Sequence, residues 1–371
     1  MKIKCNREKF AEAFQTVASV VPTRSPKTIL QNVKLDVSNG EAVLSATDLE
    51  IGIRCSVADV EVQVDGSAVL PVDRFGPILR ETPDEQLEIE SNPQGTVVQG
   101  QRSQFKLPGQ NPAEFPEVAS FSEEKFHEVP ARFLREVIRR TIFATDTESS
   151  RYALGGVLFE MTEDKLTGVG TDGRRLAKME GPALAVNGHN TADQMMIVPS
   201  RALQLMERAL SDADAEIQLA VRNNDVLVKS PRVTIYSRLV EGRFPKWRDV
   251  FPSTNSQISI DLPVGQFFSA VRQAAIVTSE ESRGIDFTFG KGNVVLAAQT
   301  ADAGQSRVEL PIEYDGEEVT IMLDPKYISD FLKVVDSEKT FTLELSNAKS
   351  AVVCKTDDGY GYVIMPMARE K

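Results

Sequence analysis

The spacing of apolar and polar residues changes along the chain in a repeating order. Segments around Phe10 to Val17, Phe133 to Ile142 and Phe267 to Ile276 carry apolar residues at helical spacing. Each leads into two segments with the alternating pattern of half-buried strands. These strand pairs are Val33–Val37 with Ala42–Ala46, Val157–Met161 with Leu166–Val169, and Ile285–Phe289 with Val294–Ala298. The order predicts three copies of one unit, roughly 125 residues apart.

Each copy also contains a second helix, led by Pro71, Pro199 or Pro325. Proline suits the first helical position, and Asp324 before Pro325 is a suitable cap. Alternating strands and a hairpin follow each helix, with strands at Leu87–Glu90, Ile217–Val221 and Phe341–Leu345. We therefore predict an α+β chain of three domains at residues 1–120, 121–250 and 251–371, called repeats 1, 2 and 3. The alternative is a large mixed α+β protein whose spacings coincide by chance.

Composition places the chain in an ordinary globular class. Its 371 residues are 41% hydrophobic and 26% charged, enough for two or three domains with cores. No apolar run approaches 18 residues and the start lacks a signal peptide, so we expect a cytoplasmic protein. Cys5, Cys55 and Cys354 are far apart in predicted strands, which favours buried thiols over disulfides or a zinc site. We expect no cofactor.

The charge is unevenly distributed between helices and the rest of the chain. The net charge is −12, yet the predicted helix windows hold 13 Lys and Arg against 8 Asp and Glu. They therefore carry +5, which leaves −17 elsewhere. The windows are residues 6–19, 71–81, 130–141, 199–211, 263–277 and 325–336. If symmetric copies place these helices on one wall, their weak basic faces add into one field.

The window at 130–141 separates the two faces most clearly. Phe133, Leu134, Val137, Ile138 and Ile142 point one way, and Arg132, Arg135, Arg139 and Arg140 cover the opposite arc. A solvated amphipathic helix explains such a face when it is considered alone. Repetition of basic helices favours a shared positively charged surface.

Catalytic and metal-binding signatures are not found in the sequence. His127 and His189 lack Cys or acidic neighbours at metal-ligand spacing, and no nucleophile elbow or phosphate-binding loop is present. Asp172 before Gly173 at a strand end is typical of a turn rather than a catalytic acid. The chain therefore favours a binding role.

Four short strings carry a resemblance to a known family. They are Thr47-Asp48-Leu49-Glu50, Thr171-Asp172-Gly173-Arg174-Arg175-Leu176-Ala177, Leu239-Val240-Glu241-Gly242-Arg243-Phe244-Pro245 and Tyr362-Val363-Ile364-Met365-Pro366-Met367. Together with the triplication, they closely resemble the bacterial DNA polymerase III beta subunits, the replicative sliding clamps. The resemblance runs from residue 1 to residue 367.

The resemblance implies three clamp domains, each of two βαβββ-like halves, in a head-to-tail homodimer. Twelve helices would line a ring around duplex DNA, with sheets outside. Such a ring binds sequence-independently through phosphates, because it retains DNA by topology. It would not be an enzyme. It would confer processivity on the replicative polymerase and would also bind the clamp loader and repair proteins.

The family also carries a hydrophobic peptide pocket between its second and third domains. The matching positions are Leu154, Thr171, Gly173, Arg174, Arg175, Leu176, Pro245, Val250, Val363, Met365, Pro366 and Met367. Methionines suit a surface that accepts several partners, and Arg175 is expected to hold a peptide carbonyl or carboxylate. For Val363 to Met367, the alternative is an ordinary last strand in a core. Arg174, Asp249 and the tail Ala368–Lys371 depart from the family pattern and leave the peptide preference open.

Family positions on the DNA side are matched at or near Arg24, Arg74, Arg151, Arg201, Arg208 and Arg283. The helix-face argument adds Arg139 and Arg140. Phe105, Ile276 and Val277 match the dimer interface. Two other classes remain open on sequence grounds: a peptide-binding scaffold without DNA encirclement, and an enzyme with an unrecognised carboxylate site. The basic helices favour the clamp, because a scaffold gives no reason for them to oppose the sign of the chain.

Overall fold

A computed structural model describes residues 1–148, 152–191, 194–251, 258–279, 282–301 and 303–368. Within these ranges, six α-helices lie where the helical spacing predicts them. They are α1 (Arg7–Ala18), α2 (Val72–Glu81), α3 (Ala131–Thr141), α4 (Ser200–Ala209), α5 (Val264–Ala274) and α6 (Pro325–Val334). Each buries its apolar stripe, as α3 does with Leu134, Val137 and Ile138.

The strands of repeat 1 follow the same order in both halves. They are β1 (Lys2–Asn6), β2 (Asn32–Ser38), β3 (Glu41–Thr47), β4 (Ile51–Ser56), β5 (Val60–Val64), β6 (Gly66–Pro71), β7 (Gln86–Asn92), β8 (Gly95–Gln99) and β9 (Gln104–Pro108). Helix α1 follows β1 and α2 follows β6, so each half contains a βαβββ unit. Strand β5 joins the two halves.

Repeats 2 and 3 show the same two-part order. Repeat 2 contains β10 (Phe126–Pro130), β11 (Gly156–Met161), β12 (Lys165–Thr171), β13 (Arg175–Pro182), β14 (Leu184–Val186), β15 (Met196–Pro199), β16 (Glu216–Val221), β17 (Asp225–Lys229) and β18 (Val233–Arg238). Repeat 3 contains β19 (Ile258–Pro263), β20 (Ile285–Gly290), β21 (Asn293–Thr300), β22 (Gly304–Pro311), β23 (Val319–Leu323), β24 (Thr340–Leu345), β25 (Val352–Lys355) and β26 (Tyr360–Ile364). The predicted fold class, six βαβββ-like halves in three clamp domains, is confirmed.

The prolines before the helices do not occupy equivalent positions. Pro71 and Pro199 are N-cap residues, whereas Pro325 is the first residue of its helix. The predicted cap is confirmed, because the Asp324 carboxylate accepts from the backbone N–H of Lys326. Aligning the three prolines is therefore wrong by one position in repeat 3, where an aspartate takes the place that proline has elsewhere.

The described part of the chain contains four antiparallel sheets, and two of them cross between repeats. Strand β18 of repeat 2 pairs with β4 of repeat 1 in a nine-stranded sheet, and β26 of repeat 3 pairs with β13 of repeat 2 in an eight-stranded sheet. The remaining two sheets have the order β5-β1-β7-β8-β9 and β22-β21-β20-β23. Main-chain hydrogen bonds therefore join consecutive repeats into one body.

The helices pack in pairs and also contact each other between repeats. Helices α1 and α2, α3 and α4, and α5 and α6 are neighbours within their repeats. Across the first junction, Arg201 of α4 donates to the carbonyl oxygen of Val20 after α1. Across the second, Arg139 of α3 donates to the carbonyl oxygen of Val334 of α6. The helix side of the chain is thus continuous over all three repeats.

The cysteines are buried and unpaired with each other, as their spacing predicts. Burial raises the pKa of the Cys5 thiol to about 12 and that of Cys55 to about 11. Both thiols therefore stay protonated at neutral pH and act as small core residues.

Candidate peptide-binding and DNA-facing surfaces

A tight turn between β12 and β13 stands at the second junction. The Thr171 hydroxyl donates to the Arg175 carbonyl oxygen at 2.7 Å and accepts from the Gly173 N–H at 3.1 Å. One Asp172 carboxylate oxygen accepts from the N–H groups of Arg174 and Arg175 at 2.9 and 3.0 Å. Gly173 has φ +87°, a conformation that glycine adopts without strain. Asp172 is therefore a turn residue, as predicted.

The first junction contains the same turn between β3 and β4. The Thr47 hydroxyl donates to the Ile51 carbonyl oxygen and accepts from the Leu49 N–H. Asp48 accepts from the N–H groups of Glu50 and Ile51. The internal repeat therefore extends to individual hydrogen bonds at the junctions.

Arg175 is a buried strut between repeats 2 and 3. Its guanidinium binds Asp172 at 2.9 Å, Asp330 of α6 at 2.7 Å and the Phe143 carbonyl oxygen at 2.7 Å. It also lies 4.6 Å from the ring centroid of Tyr327, and only 6% of its side chain is exposed. The predicted role of Arg175, direct binding of a peptide carbonyl or carboxylate, does not fit these contacts. Arg175 instead joins repeats 2 and 3 from a buried position.

Arg140 is also bound at this junction, which corrects its assignment to the DNA-facing set. Its guanidinium pairs with Glu136 at 2.8 Å and with Asp358 of repeat 3 at 2.9 Å. It lies 5.1 Å from the ring centroid of Tyr360, and its side chain is only 8% exposed. On a helical wheel Arg140 lies opposite the apolar face of α3. In the structure, however, repeat 3 packs against that side of the helix.

A second apolar cluster, separate from the main core, lies under the linker that joins repeats 2 and 3. Two predicted pocket residues, Leu176 and Val363, belong to it. We call it the outer cluster; its buried members are Ala153, Leu158, Val169, Leu176, Ile197, Phe244, Trp247, Val353 and Val363. It gives the predicted pocket an apolar floor.

The rim above this floor is exposed. Met365 is 47% exposed although its backbone N–H is bonded to the Arg174 carbonyl oxygen at 2.9 Å. The remaining exposed members of the predicted pocket are Gly173, Arg174, Pro245, Val250 and Met367, while Pro366 is half-buried. Leu154 and Thr171 lie below the surface. The turn, the linker and the C-terminal segment thus meet at one apolar surface.

Sequence reasoning missed the two aromatic anchors of the linker. Phe244 and Trp247 are buried in the outer cluster, and Trp247 is the only tryptophan of the chain. Arg248 covers the Trp247 ring at 4.3 Å and pairs with Glu160 at 2.7 Å. The sequence does contain an indication of this packing in the string Arg243-Phe244-Pro245-Lys246-Trp247. Two aromatic residues in a linker normally pack against an apolar surface.

The two altered rim positions are both exposed. Arg174 projects from the turn, and Asp249 lies on the short helical turn of the linker, next to the paired Arg248. Of the tail that departs from the family pattern, Ala368 is exposed, and residues 369–371 lie outside the described residues. The departures therefore lie on the exposed rim and not in the apolar floor.

At the first junction, the position equivalent to Leu176 is Gly52. A methyl group on Gly52 would lie 2.6 Å from a Val118 side-chain carbon, because the linker between repeats 1 and 2 passes directly over it. Val118 is buried there, and Arg54 donates to its carbonyl oxygen at 3.2 Å. The linker of the first junction therefore covers Gly52 itself, and a cavity of about 270 Å³ remains beside Leu49 and Val118.

The other predicted DNA-facing arginines lie at the surface. Arg139 pairs with Glu136 at 2.8 Å, and Arg201 pairs with Asp48 at 3.1 Å. The exposed members of the predicted set are Arg24, Arg74, Arg139, Arg201, Arg208 and Arg283. Arg151 lies outside the described residues. The pair of Arg139 with Glu136 is largely open to solvent and therefore weak, so Arg139 can exchange this partner for a phosphate.

The predicted dimer residues lie in the first and last repeats. Phe105 is on β9, the last strand of its sheet, and is half-buried. Ile276 and Val277 follow α5 in a short helical turn that packs beside β22, and Ile276 is 78% exposed. Repeats 1 and 3 therefore each present apolar side chains at or beside the edge strand of a sheet, β9 in repeat 1 and β22 in repeat 3.

The two histidines meet in the interior of repeat 2. Their Nδ1 atoms are 2.6 Å apart, so one ring donates and the other accepts, and His127 also contacts the Thr162 carbonyl oxygen through Nε2. Burial lowers the pKa of both, and it lowers that of His189 to about 4 with a further contribution from His127. Among the described residues, no group of three potential metal ligands forms.

Acid is expected to destabilise repeat 2 through this pair. The unfolded histidines bind protons below their ordinary pKa of about 6.5, whereas the folded pair resists protonation, so stability is lost as the pH falls from about 6.5 towards 4. Between pH 7 and 5 we expect a loss on the order of 1–2 kcal/mol in urea titrations. The His127→Asn, His189→Asn variant should lose less over the same interval; an identical pH dependence would contradict this origin.

None of the described helices is long and apolar enough to cross a bilayer.

Comparison with known proteins assigns all three repeats to one family. Models of the N-terminal, central and C-terminal domains of the DNA polymerase III beta subunit match residues 1–119, 128–246 and 248–368. The chain is similar to the beta sliding clamp of Chlamydia pneumoniae, at 30% identity over 99% of both chains. It is 29% identical to that of Chlamydia trachomatis serovar D, over 99% of this chain and 87% of the relative.

Solved structures agree with this assignment. The DNA polymerase III subunit beta of Pseudomonas aeruginosa aligns over 100% of both chains with a TM-score of 0.92 and 27% identity. The DNA polymerase sliding clamp of Caulobacter crescentus aligns over 100% of both chains with a TM-score of 0.88 and 27% identity. The family assignment therefore favours a sliding clamp over the two classes left open by the sequence, the peptide-binding scaffold and the enzyme. The chain belongs to the DNA polymerase III beta subunit family of DNA sliding clamps, which act as non-catalytic processivity factors for the polymerase.

Proposed function

We propose that two copies of this chain close head to tail into a ring around duplex DNA, with β9 of one copy against β22 of the other. The terminal sheets carry the argument. The two sheets that cross internal junctions have nine and eight strands, whereas the terminal sheets have five and four. Joining the terminal sheets through β9 and β22 makes a nine-stranded sheet like that of the first junction.

The side chains next to these edges support the same arrangement. Phe105 lies on β9, and the exposed Ile276 lies beside β22 with Val277. An aromatic residue meeting two aliphatic ones is a suitable centre for an interface. The pairing also covers two sheet edges that would otherwise invite aggregation.

The helix side is the surface that faces DNA in this proposal. Arg24, Arg74, Arg139, Arg151, Arg201, Arg208 and Arg283 supply positive charge to a chain whose net charge is −12. Contacts of this kind reach phosphates and carry no sequence information, so the ring slides. The acidic remainder of the chain repels DNA from the outside. We place this activity in the cytoplasm, with the DNA.

The apolar surface at the second junction is the proposed site for clamp-binding peptides of polymerases, the clamp loader and repair proteins. An apolar peptide side chain would pack on Leu176 and Val363 between the exposed Met365 and Val250 and the half-buried Pro366. Methionine adapts to differently shaped anchors, which suits several partners.

Topological retention tests the ring. The protein is loaded by a clamp loader onto a nicked circular plasmid, and the circle is then cut. Retention on the circle and loss from the linear DNA is the expected result. Equal retention on both forms would rule out encirclement. In a separate measurement of solution mass, a monomer at micromolar concentration would contradict a closed dimer.

A further inference from the structure

The exposed methionines of the chain are concentrated at the second junction. All nine methionines lie within the described ranges, and three of them have exposed side chains: Met365 at 47%, Met195 at 45% and Met367 at 37%. Met365 and Met367 belong to the rim of the proposed peptide site, and Met195 contacts the linker. The buried or half-buried methionines are Met1, Met161, Met179, Met196, Met206 and Met322.

The two rim methionines differ from Met195 in their surroundings. Their backbone N–H groups donate to the carbonyl oxygens of Arg174 and Met322 at 2.9 Å, which fixes the segment while its side chains stay at the surface. The Met195 sulfur instead accepts from the backbone N–H of Phe244 at 3.0 Å and lies outside the predicted pocket. Met195 is therefore an internal comparison for Met365, with similar exposure and a different environment.

The three cysteines are protected from oxidants that reach the methionines. Cys5, Cys55 and Cys354 are buried, and burial raises the pKa of each thiol. The thiolate is the reactive form of cysteine, and it is scarce when the pKa lies far above the ambient pH. An oxidant in solution therefore meets the exposed thioethers before it meets a thiolate.

We propose that Met365 and Met367 are a modification site for peroxides, and that their oxidation to methionine sulfoxide releases peptides from the second junction. This inference rests on the proposed peptide site and adds a means of regulating it. The thioether sulfur attacks one oxygen of hydrogen peroxide, so an S–O bond forms, the O–O bond breaks and hydroxide leaves. The hydroxide takes the proton of the new S–OH group and becomes water; sulfur loses two electrons and the peroxide gains them.

The sulfoxide makes the rim polar and leaves the backbone as it is. A peptide anchor that packs on Leu176 and Val363 would press the new S=O group against apolar side chains, and burying such a group without a hydrogen-bond donor is unfavourable. Reduction of the sulfoxide restores the apolar rim, so the change is reversible.

The side chains proposed for ring closure are not targets of this chemistry. Phe105, Ile276 and Val277 contain no sulfur. Peroxide therefore releases the partners of the ring and leaves the ring itself closed. This separation distinguishes modification of the rim from general oxidative damage, which would also disturb the dimer.

Treatment of the full-length protein with hydrogen peroxide, followed by removal of the peroxide, tests the site. Mass spectrometry of proteolytic fragments should show added oxygen at Met365 and Met367 before the four buried methionines. In fluorescence anisotropy, a synthetic peptide with a Leu-Phe anchor should bind about ten-fold or more weakly, the effect of burying an unpaired polar group. The solution mass of the dimer should not change. Methionine sulfoxide reductases for both sulfoxide epimers should restore the affinity.

Leucine variants locate the sensitive residues, each compared with its own untreated form. Met365→Leu with Met367→Leu keeps apolar side chains of similar volume without sulfur, so peroxide should no longer change its affinity. Met195→Leu is the matched control and should lose affinity as the unsubstituted protein does, because the rim methionines remain.

Three results would overturn the redox proposal: unchanged affinity once both rim methionines are oxidised, an equal loss in the rim double variant, or protection by Met195→Leu. Oxidation of the buried methionines before the rim would also overturn it. If the untreated protein does not bind the anchor peptide, the proposed peptide site is wrong and the redox proposal fails with it.

Discussion

Replacing Arg175 with alanine is expected to lower the free energy of unfolding by about 3–5 kcal/mol, the usual effect of breaking a buried ion pair. The substitution would leave Asp172 and Asp330, which are 14% and 16% exposed, without their shared cation. It would also remove the donor to the Phe143 carbonyl oxygen and the cation stacked on Tyr327. Because these groups come from repeats 2 and 3, the loss should loosen the second junction first.

Urea unfolding and hydrogen exchange measure the two parts of this effect. The unfolding midpoint should fall, and amides of β13 and β26 should exchange faster than those of β4 and β18 at the first junction. Arg139→Ala is the matched control: this exposed arginine of α3 also contacts repeat 3, and its loss should cost less than about 1 kcal/mol. Similar midpoints for the two variants would show that Arg175 is not a strut.

The sequence predicts the elements well because their patterns are local. Helical spacing at Phe133 to Ile142 and alternation at Val157–Met161 are set by neighbours in the chain, so α3 and β11 form where expected. The proline alignment was less reliable, because Pro325 and Pro199 satisfy the start of a helix in different ways. Local rules allow both positions, and only the backbone distinguishes them.

Contacts between repeats were the part that the sequence could not reveal. Arg140 and Arg175 have ordinary positions in their own elements, and their burial depends on Asp358 and Asp330, more than 150 residues away. A helical wheel describes one helix in solvent and contains no information about a later domain. The same reason hides the contact at the first junction, where Val118 of the linker covers Gly52.

The sequence predicted some residues of the proposed pocket and missed others. The C-terminal methionines were predicted through the resembling string alone, and the structure places both at the surface. The aromatic anchors Phe244 and Trp247 were missed, since their bed is assembled from β11, β12, β13 and β26. Short motifs predicted the rim of the proposed site, and tertiary packing supplies the apolar cluster beneath it.

Replacing both Met365 and Met367 with alanine is expected to abolish stimulation of the replicative polymerase and to weaken anchor-peptide binding about 30-fold or more, as loss of central interface anchors does. Both side chains are exposed at the rim, while their backbone N–H groups hold the segment to Arg174 and Met322. Alanine keeps those main-chain bonds, so the fold and the dimer should persist. The variant therefore removes apolar contact area alone.

Primer-extension length, peptide affinity and solution mass should be measured on the same preparation. Leu49→Ala is the matched control, because Leu49 is an exposed apolar residue on the equivalent turn of the first junction. It should leave all three measurements unchanged, since the first junction lies outside the proposed peptide site. Undiminished extension by the double methionine variant would place the polymerase site elsewhere. Loss of both extension and dimer mass would instead show that the methionines maintain the ring.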